Sequence, residues 1–496
     1  MSAGKSSVAV NYLLNTAYQI LILIVPLITT PYVSRVLGAE GIGVYSYTYS
    51  IISYFLIIAA MGTATYGQRT IAYHQDDPYA RSRKFYEILI FRIVTTLSCC
   101  VVYGAYLLSD IARYRGIACL QLIYLIAVAF DITWFFQGME DFKRIVLRNT
   151  VAKIFNIVLL FVFVREESDL WLYTLILAGM TLVANLSVWP YVPSVVNRVR
   201  LRDIKPFKDF RDIILLFVPT IAIQVNSVLD KTLIGVFAAN AAENGYYEQT
   251  EKVVRMALAV VTSLGIVMIP RMSKLFHDDD RERMKSYIEK SYQFVWLIGI
   301  PIMFGLIAVV DVFVPVFYGQ GYDRIKVLMP IYALSVLPVA LSNVTGCQFL
   351  IPIRKQNVYS AAVLVSAVVN VGLNVVLTPR YLADGAAAAS VTAEMVGCIV
   401  MLVYVQVKGM VDVPAVLRLS VRKFVAGIVM LVAVKATATL LDESVLSLLI
   451  LIVEGGVVYP LVLFLERDRF FLDLLERVLG KVRRVLGGPR STAGRS

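Results

Sequence analysis

The sequence has little charge for its length. Charged residues make up 17% of its 496 positions and hydrophobic residues 58%, whereas soluble domains average about 25% charged residues. The apolar residues extend from residue 8 to residue 465. A single buried core does not extend along a chain in this way, so the composition excludes a soluble globular protein.

Histidine and cysteine are also scarce. The two histidines, His74 and His277, fall in predicted loops, which excludes a histidine metal cluster and a Ser-His-Asp triad. The five cysteines include one vicinal pair, Cys99–Cys100, without metal-ligand spacing. We therefore predict no enzyme, no metal site and no cofactor.

A phosphate-binding loop and a separate basic domain are also absent, and each absence argues against a class of function. The stretch "AGKSS" (3–7) lacks the strand and the upstream glycine of a phosphate-binding loop, which argues against an ATPase. No basic domain stands apart, so the net charge of +12 does not indicate nucleic-acid binding. Any energy coupling would have to come from an H⁺ or Na⁺ gradient, from the membrane potential or from the gradient of the substrate.

Long apolar runs recur along the chain instead. About 20 helical residues cross a hydrocarbon layer of ~30 Å, and the runs lack the alternation of barrel strands. We predict an all-α integral membrane protein with fourteen transmembrane helices. They lie near 11–34, 43–67, 85–108, 116–138, 146–164, 170–193, 212–237, 252–271, 291–317, 327–351, 358–378, 385–407, 421–441 and 445–465.

Lys and Arg in the connections predict the orientation. Most of the 47 basic residues fall on one side if the N-terminus is cytoplasmic, as the positive-inside rule requires. The segment "RVRLRDIKPFKDFR" (198–211) is then cytoplasmic, and "DES" (442–444) lies outside. An even number of spans places both termini in the cytoplasm. The first run lacks a small-residue cleavage site and is interpreted as a helix rather than a signal peptide.

Weak internal repeats divide the chain. "LILIVPLITT" (21–30) resembles "ILLFVPTIAI" (214–223), and "VLGAEGIGVYSYTYS" (36–50) resembles "VFAANAAENGYYEQT" (236–250). Parallel repeats of this kind predict two pseudo-symmetric six-helix lobes around a central cavity. The predicted parts are an N-terminal lobe at 1–193, a basic linker at 194–211, a C-terminal lobe at 212–407, two added helices at 408–465 and a cytoplasmic tail at 466–496.

The tail differs from the spans. In "ERDRFFLDLLERVLGKVRRVL" (466–486) apolar residues recur at helical spacing, and Arg and Lys occupy the other face. This pattern is typical of an amphipathic helix that lies on an anionic leaflet.

Polar and charged residues inside the spans are the candidate site. Asp230 and Lys231 lie in an apolar segment, and Asn370 and Asn374 form an i, i+4 stripe. Charges at this depth face a cavity or another helix, and a surplus of cations suits an anionic ligand. The candidate substrate-binding residues are Arg35, Arg92, Lys153, Lys231, Arg255, Asn15, Gln19 and Gln224. Ion pairs between helices, without a transport role, are the alternative.

Three stretches carry a family resemblance: "PLITTPYVSRVLGAEGIGVYSY" (26–47), "DITWFFQGMEDFKRI" (131–145) and "IPIRKQNVYSAAVLVSAVVNVGLNVVLTPRYLADGAAAASVTAE" (351–394). They resemble the polysaccharide transporter family of Wzx-type flippases, in the superfamily that includes multidrug exporters and lipid II flippases. The sequence gives no physical account of the "WFFQGMEDFK" block beyond an aromatic anchor.

The resemblance implies alternating access and an undecaprenyl-diphosphate-linked oligosaccharide as the substrate, carried to the outer leaflet of a bacterial inner membrane. It implies a coupling cation, for which Asp131, Asp230 and Glu394 are candidates, and a polysaccharide polymerase as a candidate partner. A lipid II flippase is the nearest alternative. A cation-coupled multidrug exporter and a non-transporting scaffold are more distant.

Overall fold

The computed structural model describes residues 8–486 of the chain. Within this range some helical side chains lie outside the description, namely those of residues 8–23, 142–143, 218–220, 222–223, 225–227, 264, 266–267, 478 and 480–486. Residues 8–486 form α-helices with short 3₁₀ and π turns, and no strand occurs among them. The prediction of an all-α membrane protein is confirmed.

Eighteen α-helices follow one another in this part of the chain. Those of the first half are α1 (Val8–Ala60), α2 (Thr63–Tyr73), α3 (Pro78–Leu108), α4 (Arg115–Phe130), α5 (Thr133–Gly138), α6 (Phe142–Phe163), α7 (Leu170–Leu186), α8 (Phe210–Phe237) and α9 (Ala242–Thr262). Those of the second half are α10 (Leu264–His277), α11 (Arg281–Tyr318), α12 (Arg324–Ala333), α13 (Val336–Ser342), α14 (Gln356–Val407), α15 (Val413–Arg418), α16 (Val421–Ala438), α17 (Val445–Leu465) and α18 (Arg469–Leu486).

The predicted spans fall on these helices, and among the described residues nine helices are long and apolar enough to cross a membrane. Two of the nine, Ile24–Tyr73 and Gln356–Val407, have 50 and 52 residues. At about 1.5 Å per residue, each would be more than twice as long as a hydrocarbon layer is thick. The segment Gln356–Val407 is broken at Leu382 (φ 50°), where two crossings can meet. The segment Ile24–Tyr73 is broken at Gly38 (φ 65°) and again at Met61 and Gly62 (φ 38° and 70°), between α1 and α2. The number of crossings stays a prediction.

The chain forms two compact units. The first comprises the chain up to Lys252 together with Phe317–Leu328 and Val363–Ala393. The second comprises Val253–Val316, Met329–Ala362 and the chain from Glu394 onward. The boundaries of the predicted lobes stay a prediction.

The "WFFQGMEDFK" block forms part of a hydrophobic core in the first unit. Trp134, Phe135 and Phe136 on α5 are buried together with apolar residues of α2 and α3. A Cβ on Gly67 of α2 would lie 2.4 Å from the Trp134 ring, a distance that only a glycine permits. The block therefore packs the first unit together, a role that its sequence did not reveal.

The tail is helical over Arg469–Leu486, as predicted. In the second unit its first residues are held by Asp468, whose Oδ2 lies 2.7 Å from Nζ of Lys423, with both side chains buried. Phe471 and Leu474 line an apolar cavity of about 640 Å³ with residues of α11 and α17. The start of the tail helix is thus anchored on protein, and its membrane-surface role stays a prediction.

Candidate functional site

Helix α8 presents Asp230 and Lys231 to different neighbours in the first unit. Consecutive helical residues point about 100° apart, so the two side chains do not face each other. Asp230 is 4% exposed, and the side chain of Lys231 is 19% exposed. Both residues contact α9, and Asp230 also contacts α14.

Lys231 is the centre of a network of four charges. Its Nζ lies 2.5 Å from Oε2 of Glu248 and 2.8 Å from Oε2 of Glu251, both on α9. Oε1 of Glu248 lies 3.2 Å from Nζ of Lys252. Two ammonium groups and two carboxylates balance one another, which offsets the free-energy cost of placing charge among apolar helices.

A close crossing between α1 and α9 lies beside this network. A Cβ on Gly43 would lie 1.7 Å from the carbonyl oxygen of Ala241, and a Cβ on Gly245 would lie 2.0 Å from that of Ala39. Ser46 Oγ donates to Oε2 of Glu248 at 3.0 Å across 202 residues, the separation that also relates Gly43 to Gly245 and Ala39 to Ala241. Such reciprocity is expected of a local two-fold axis between the two segments that the sequence analysis aligned.

Asp230 has neutral partners instead. Its Oδ1 accepts a hydrogen bond of 2.8 Å from Nδ2 of Asn374, and its Oδ2 accepts from the hydroxyls of Tyr247 and Ser390. Among the residues that the structure describes, no Lys or Arg nitrogen forms an ion pair with this carboxylate. Asn370 extends the polar cluster by donating from its Nδ2 to Ser390 Oγ at 3.0 Å.

The polar cluster around Asp230 is rich in oxygen atoms that could hold a cation. The two Asp230 oxygens, Ser390 Oγ and the carboxamide oxygens of Asn370 and Asn374 all belong to it. Hard cations prefer such ligands. An ionised carboxylate without a cationic partner is costly to bury, so protonation or a bound cation would stabilise this arrangement. The predicted stripe of Asn370 and Asn374 thus lies on the buried side, at the Asp230 cluster.

Tyrosines pack near the network of charges. Tyr45 and Tyr124 share a hydrogen bond of 2.9 Å between their hydroxyls, and the Tyr45 ring packs on Tyr49 and Tyr173. Tyr54 reaches α8, with its hydroxyl 3.1 Å from Oγ1 of Thr232. Aromatic rings with hydroxyl groups are suited to contacts with sugars.

Arg92 and Asp131 are paired with each other. Nη2 of Arg92 lies 3.0 Å from Oδ2 of Asp131, whose Oδ1 also accepts from the backbone N–H of Thr133. Arg92 is 3% exposed, and its Nε and Nη1 have no hydrogen-bond partner among the residues that the structure describes. The two residues form a fixed link between α3 and the end of α4, which fits the alternative of an ion pair between helices.

The remaining predicted site residues are scattered. Lys153 lines a cavity of about 120 Å³ with Gln249 and Lys252 in the first unit. In the same unit Arg35 lies against Gly319, and Gln224 is exposed. Arg255 and Glu394 belong to the second unit. Asn15 and Gln19 lie outside the residues whose side chains are described.

The candidate site predicted from the sequence did not include Glu248, Glu251 and Lys252. The predicted eighth span began at residue 252, whereas α9 begins at Ala242. The polar stretch "ENGYYEQTEK" (243–252) therefore looked like a loop. Glu248, Glu251 and Lys252 stand at positions i, i+3 and i+4, the spacing of one helical face. This spacing could have identified them from the sequence.

Comparisons with known proteins identify the family of the chain and agree with its fold. The family model described as "Polysaccharide biosynthesis protein" matches residues 8–276. A protein of Escherichia coli (strain K12) named "Putative O-antigen transporter" is 22% identical over 411 residues, which cover 82% of this chain and 98% of the relative. A protein of the same name from Shigella dysenteriae is 23% identical over 360 residues, which cover 70% of this chain and 86% of the relative.

Solved structures share the fold. The lipid II flippase MurJ in an inward closed conformation superposes with a TM-score of 0.73 at 15% identity, covering 94% of this chain and 99% of that one. An inward-facing MATE-family multidrug transporter superposes with a TM-score of 0.60 at 14% identity, covering 83% and 95%. At these identities the likeness shows the architecture alone.

Proposed function

The chain belongs to the polysaccharide biosynthesis protein family, and from this premise we propose that it moves undecaprenyl-diphosphate-linked oligosaccharide repeat units from the cytoplasmic to the outer leaflet. The family consists of transporters rather than enzymes, and the chain is a multi-pass membrane polysaccharide flippase. The identity of the carried unit and the direction of movement are the proposed part.

The main support for the proposal is the network around Lys231, in which two ammonium groups and two carboxylates balance one another. A diphosphate that enters a low-dielectric site needs cations more than it would at a surface. Lys231 is held by Glu248 and Glu251, 2.5 and 2.8 Å away. If phosphate oxygens take the place of Glu248 at Lys231, the Glu248 carboxylate keeps its ion pair with Lys252, 3.2 Å away, so no buried charge loses its partner. The tyrosines beside the network would then contact the sugars next to the diphosphate.

The Asp230 cluster is proposed as the site of the coupling cation. Of the three acidic candidates, Asp131 is paired with Arg92, and Glu394 belongs to the second unit. Asp230 is held by neutral donors. Asp230 and Lys231 are neighbours on α8, so binding of H⁺ or Na⁺ at one and of the diphosphate at the other would be coupled through the same helix.

Alternating access would act at the crossing of α1 and α9. Gly43 and Gly245 bring the two helices too close for a ligand to pass, so the path is proposed to be closed at this end and to open when the crossing separates. The distribution of Lys and Arg among the loops predicts that these residues lie toward the outer face. A polysaccharide polymerase on that side is a candidate partner.

The proposal is tested in a strain that lacks its own flippase. The lipid-linked intermediate that accumulates is isolated and its glycan analysed, and surface polysaccharide is measured after the chain is supplied. We expect the chain to restore the polysaccharide and to remove an undecaprenyl-diphosphate-linked repeat unit. If instead only a peptidoglycan precursor accumulates and is consumed, the lipid II alternative holds and the proposed substrate is wrong.

The membrane placement is tested separately. We propose a bacterial inner-membrane protein with both termini in the cytoplasm. Reporter fusions after Arg211 and after Lys290 should report the cytoplasm, and a fusion after Ser444 should report the periplasm. The opposite result at any of the three positions would overturn this topology.

A further inference from the structure

The basic segment 194–211 is fixed on the first unit. It is hydrogen-bonded to α3 at five points: Val195 O with Arg81, the Asn197 N–H with Ser82, the Asp203 carboxylate with Tyr79, the Lys205 N–H with Glu87 and the Asp209 carboxylate with Lys84. Five anchors within 15 residues hold the segment in one conformation. It is therefore a shaped surface and not a flexible tether.

The two acids of this segment are both engaged. Asp203 accepts from the Tyr79 hydroxyl, and Asp209 is paired with Lys84. Burial raises the pKa of Asp209, but hydrogen bonds from Lys84 and Tyr66 lower it more, and the pKa lies below its ordinary value. Both carboxylates are thus occupied by partners on the first unit.

The cations of the segment are not engaged in this way. Within the described part of the chain, no acidic side chain lies within ion-pairing distance of the six exposed basic residues, Arg198, Arg200, Arg202, Lys205, Lys208 and Arg211. The segment holds six basic residues against two carboxylates, and this surplus of positive charge suits it to an anionic partner.

Exposed apolar side chains lie between these cations. Leu201 is 85% exposed, Phe207 56% and Phe210 47%. The rings of Phe207 and Phe210 pack at 5.6 and 6.2 Å from Phe91 of α3. Phe91 lies six residues, or about 9 Å, beyond the start of the predicted span at 85. With the span beginning at 85 as predicted, the two rings are expected about 9 Å below its start, within the 5–10 Å to which interfacial segments bury their apolar side.

We propose that the basic segment 194–211 is a lipid-binding surface for anionic phospholipids. Its Arg and Lys side chains bind the lipid phosphates, and Phe207 and Phe210 enter the acyl region beside α3. A leaflet offers phosphates and, directly below them, acyl chains, so a single partner can contact both the cations and the two rings. This inference does not depend on the transported substrate.

The test is native mass spectrometry of the full-length protein titrated with phosphatidylglycerol or phosphatidylcholine. The variant Arg200→Gln/Lys205→Gln/Lys208→Gln should bind phosphatidylglycerol at least about fivefold more weakly, because each cation near an anionic surface contributes to binding. Its weak binding of phosphatidylcholine should not change. Phe207→Ser should weaken the binding of both lipids.

The matched control removes three cations elsewhere. Arg281 and Arg283 lie 3.0 and 3.3 Å from Asp279 and Asp280, so Arg281→Gln/Arg283→Gln/Lys285→Gln should change phosphatidylglycerol binding less than about twofold. Equal phosphatidylglycerol binding by wild type and the segment variant, at equal melting temperature, would overturn the proposal. So would a loss of inorganic pyrophosphate binding in that variant with lipid binding unchanged, because the segment would then hold the substrate's diphosphate.

Discussion

Asp230 and Lys231 are adjacent in the chain but lie in opposite electrostatic surroundings. Lys231 contacts two carboxylates of α9, whereas Asp230 contacts two hydroxyls and one carboxamide from α9 and α14. The lysine is neutralised by the protein itself. Hydroxyl and carboxamide dipoles surround the aspartate, which has no ion-pair partner among the described residues. This contrast supports the proposal that the charge of Lys231 is fixed and that Asp230 exchanges H⁺ or Na⁺.

The largest expected effect is that of Lys231→Ala. It leaves Glu248 and Glu251 without their shared cation, and removing one partner of a buried ion pair costs about 3–5 kcal/mol. We expect surface polysaccharide to fall at least about tenfold in the flippase-deletion strain, together with lower membrane abundance.

The charge-balanced variant Lys231→Gln/Glu251→Gln is its control. It retains Glu248 and Lys252 as a neutral pair, so membrane abundance should recover while export stays low. Near-normal export by this double variant would show that Lys231 is only a structural partner of the glutamates.

Asp230→Asn should act differently. The substitution keeps the shape and removes a buried charge, so we expect normal membrane abundance. Export should fall about tenfold and should no longer respond when an ionophore collapses the H⁺ or Na⁺ gradient. An ionophore response equal to that of wild type in Asp230→Asn would place the coupling cation elsewhere.

Ser390→Ala should weaken cation binding at the Asp230 cluster without abolishing it. It removes one of three donors to Asp230, and a hydrogen bond to a charged group contributes about 1.5–3 kcal/mol. We expect the cation concentration for half-maximal export to rise about tenfold while maximal export is kept. Thr392→Ala is the control, because the exposed Thr392 hydroxyl donates only to the Ala388 carbonyl; an equal shift in both variants would contradict the assignment.

Lys252→Gln should have the smallest effect. The Lys252 side chain is 38% exposed, and its distance to Glu248 is 3.2 Å. Ion pairs with this much exposure contribute about 0–1 kcal/mol, so export measured at equal abundance should fall less than about threefold. A loss of export as large as that of Lys231→Ala would show that the two lysines are equally important, which would contradict the central role of Lys231.

Much of the fold could be predicted from the sequence because helix formation in a membrane depends on residues that are close together in the chain. A run of about 20 apolar residues must satisfy its backbone hydrogen bonds internally, so the positions of the helices follow from composition. The family stretches likewise lie in continuous segments such as 26–47 and 131–145. The start of α9 was missed because its first turns are polar.

The partners of the site residues were decided by the tertiary structure alone. Asp230 bonds to Asn374 and Ser390 across 144 and 160 residues, and Ser46 bonds to Glu248 across 202. The sequence by itself determined that Asp230 and Lys231 must be kept from lipid, because charge in hydrocarbon is costly. Which helix each side chain meets depends on how helices distant in sequence pack, and no local pattern on α8 encodes that packing.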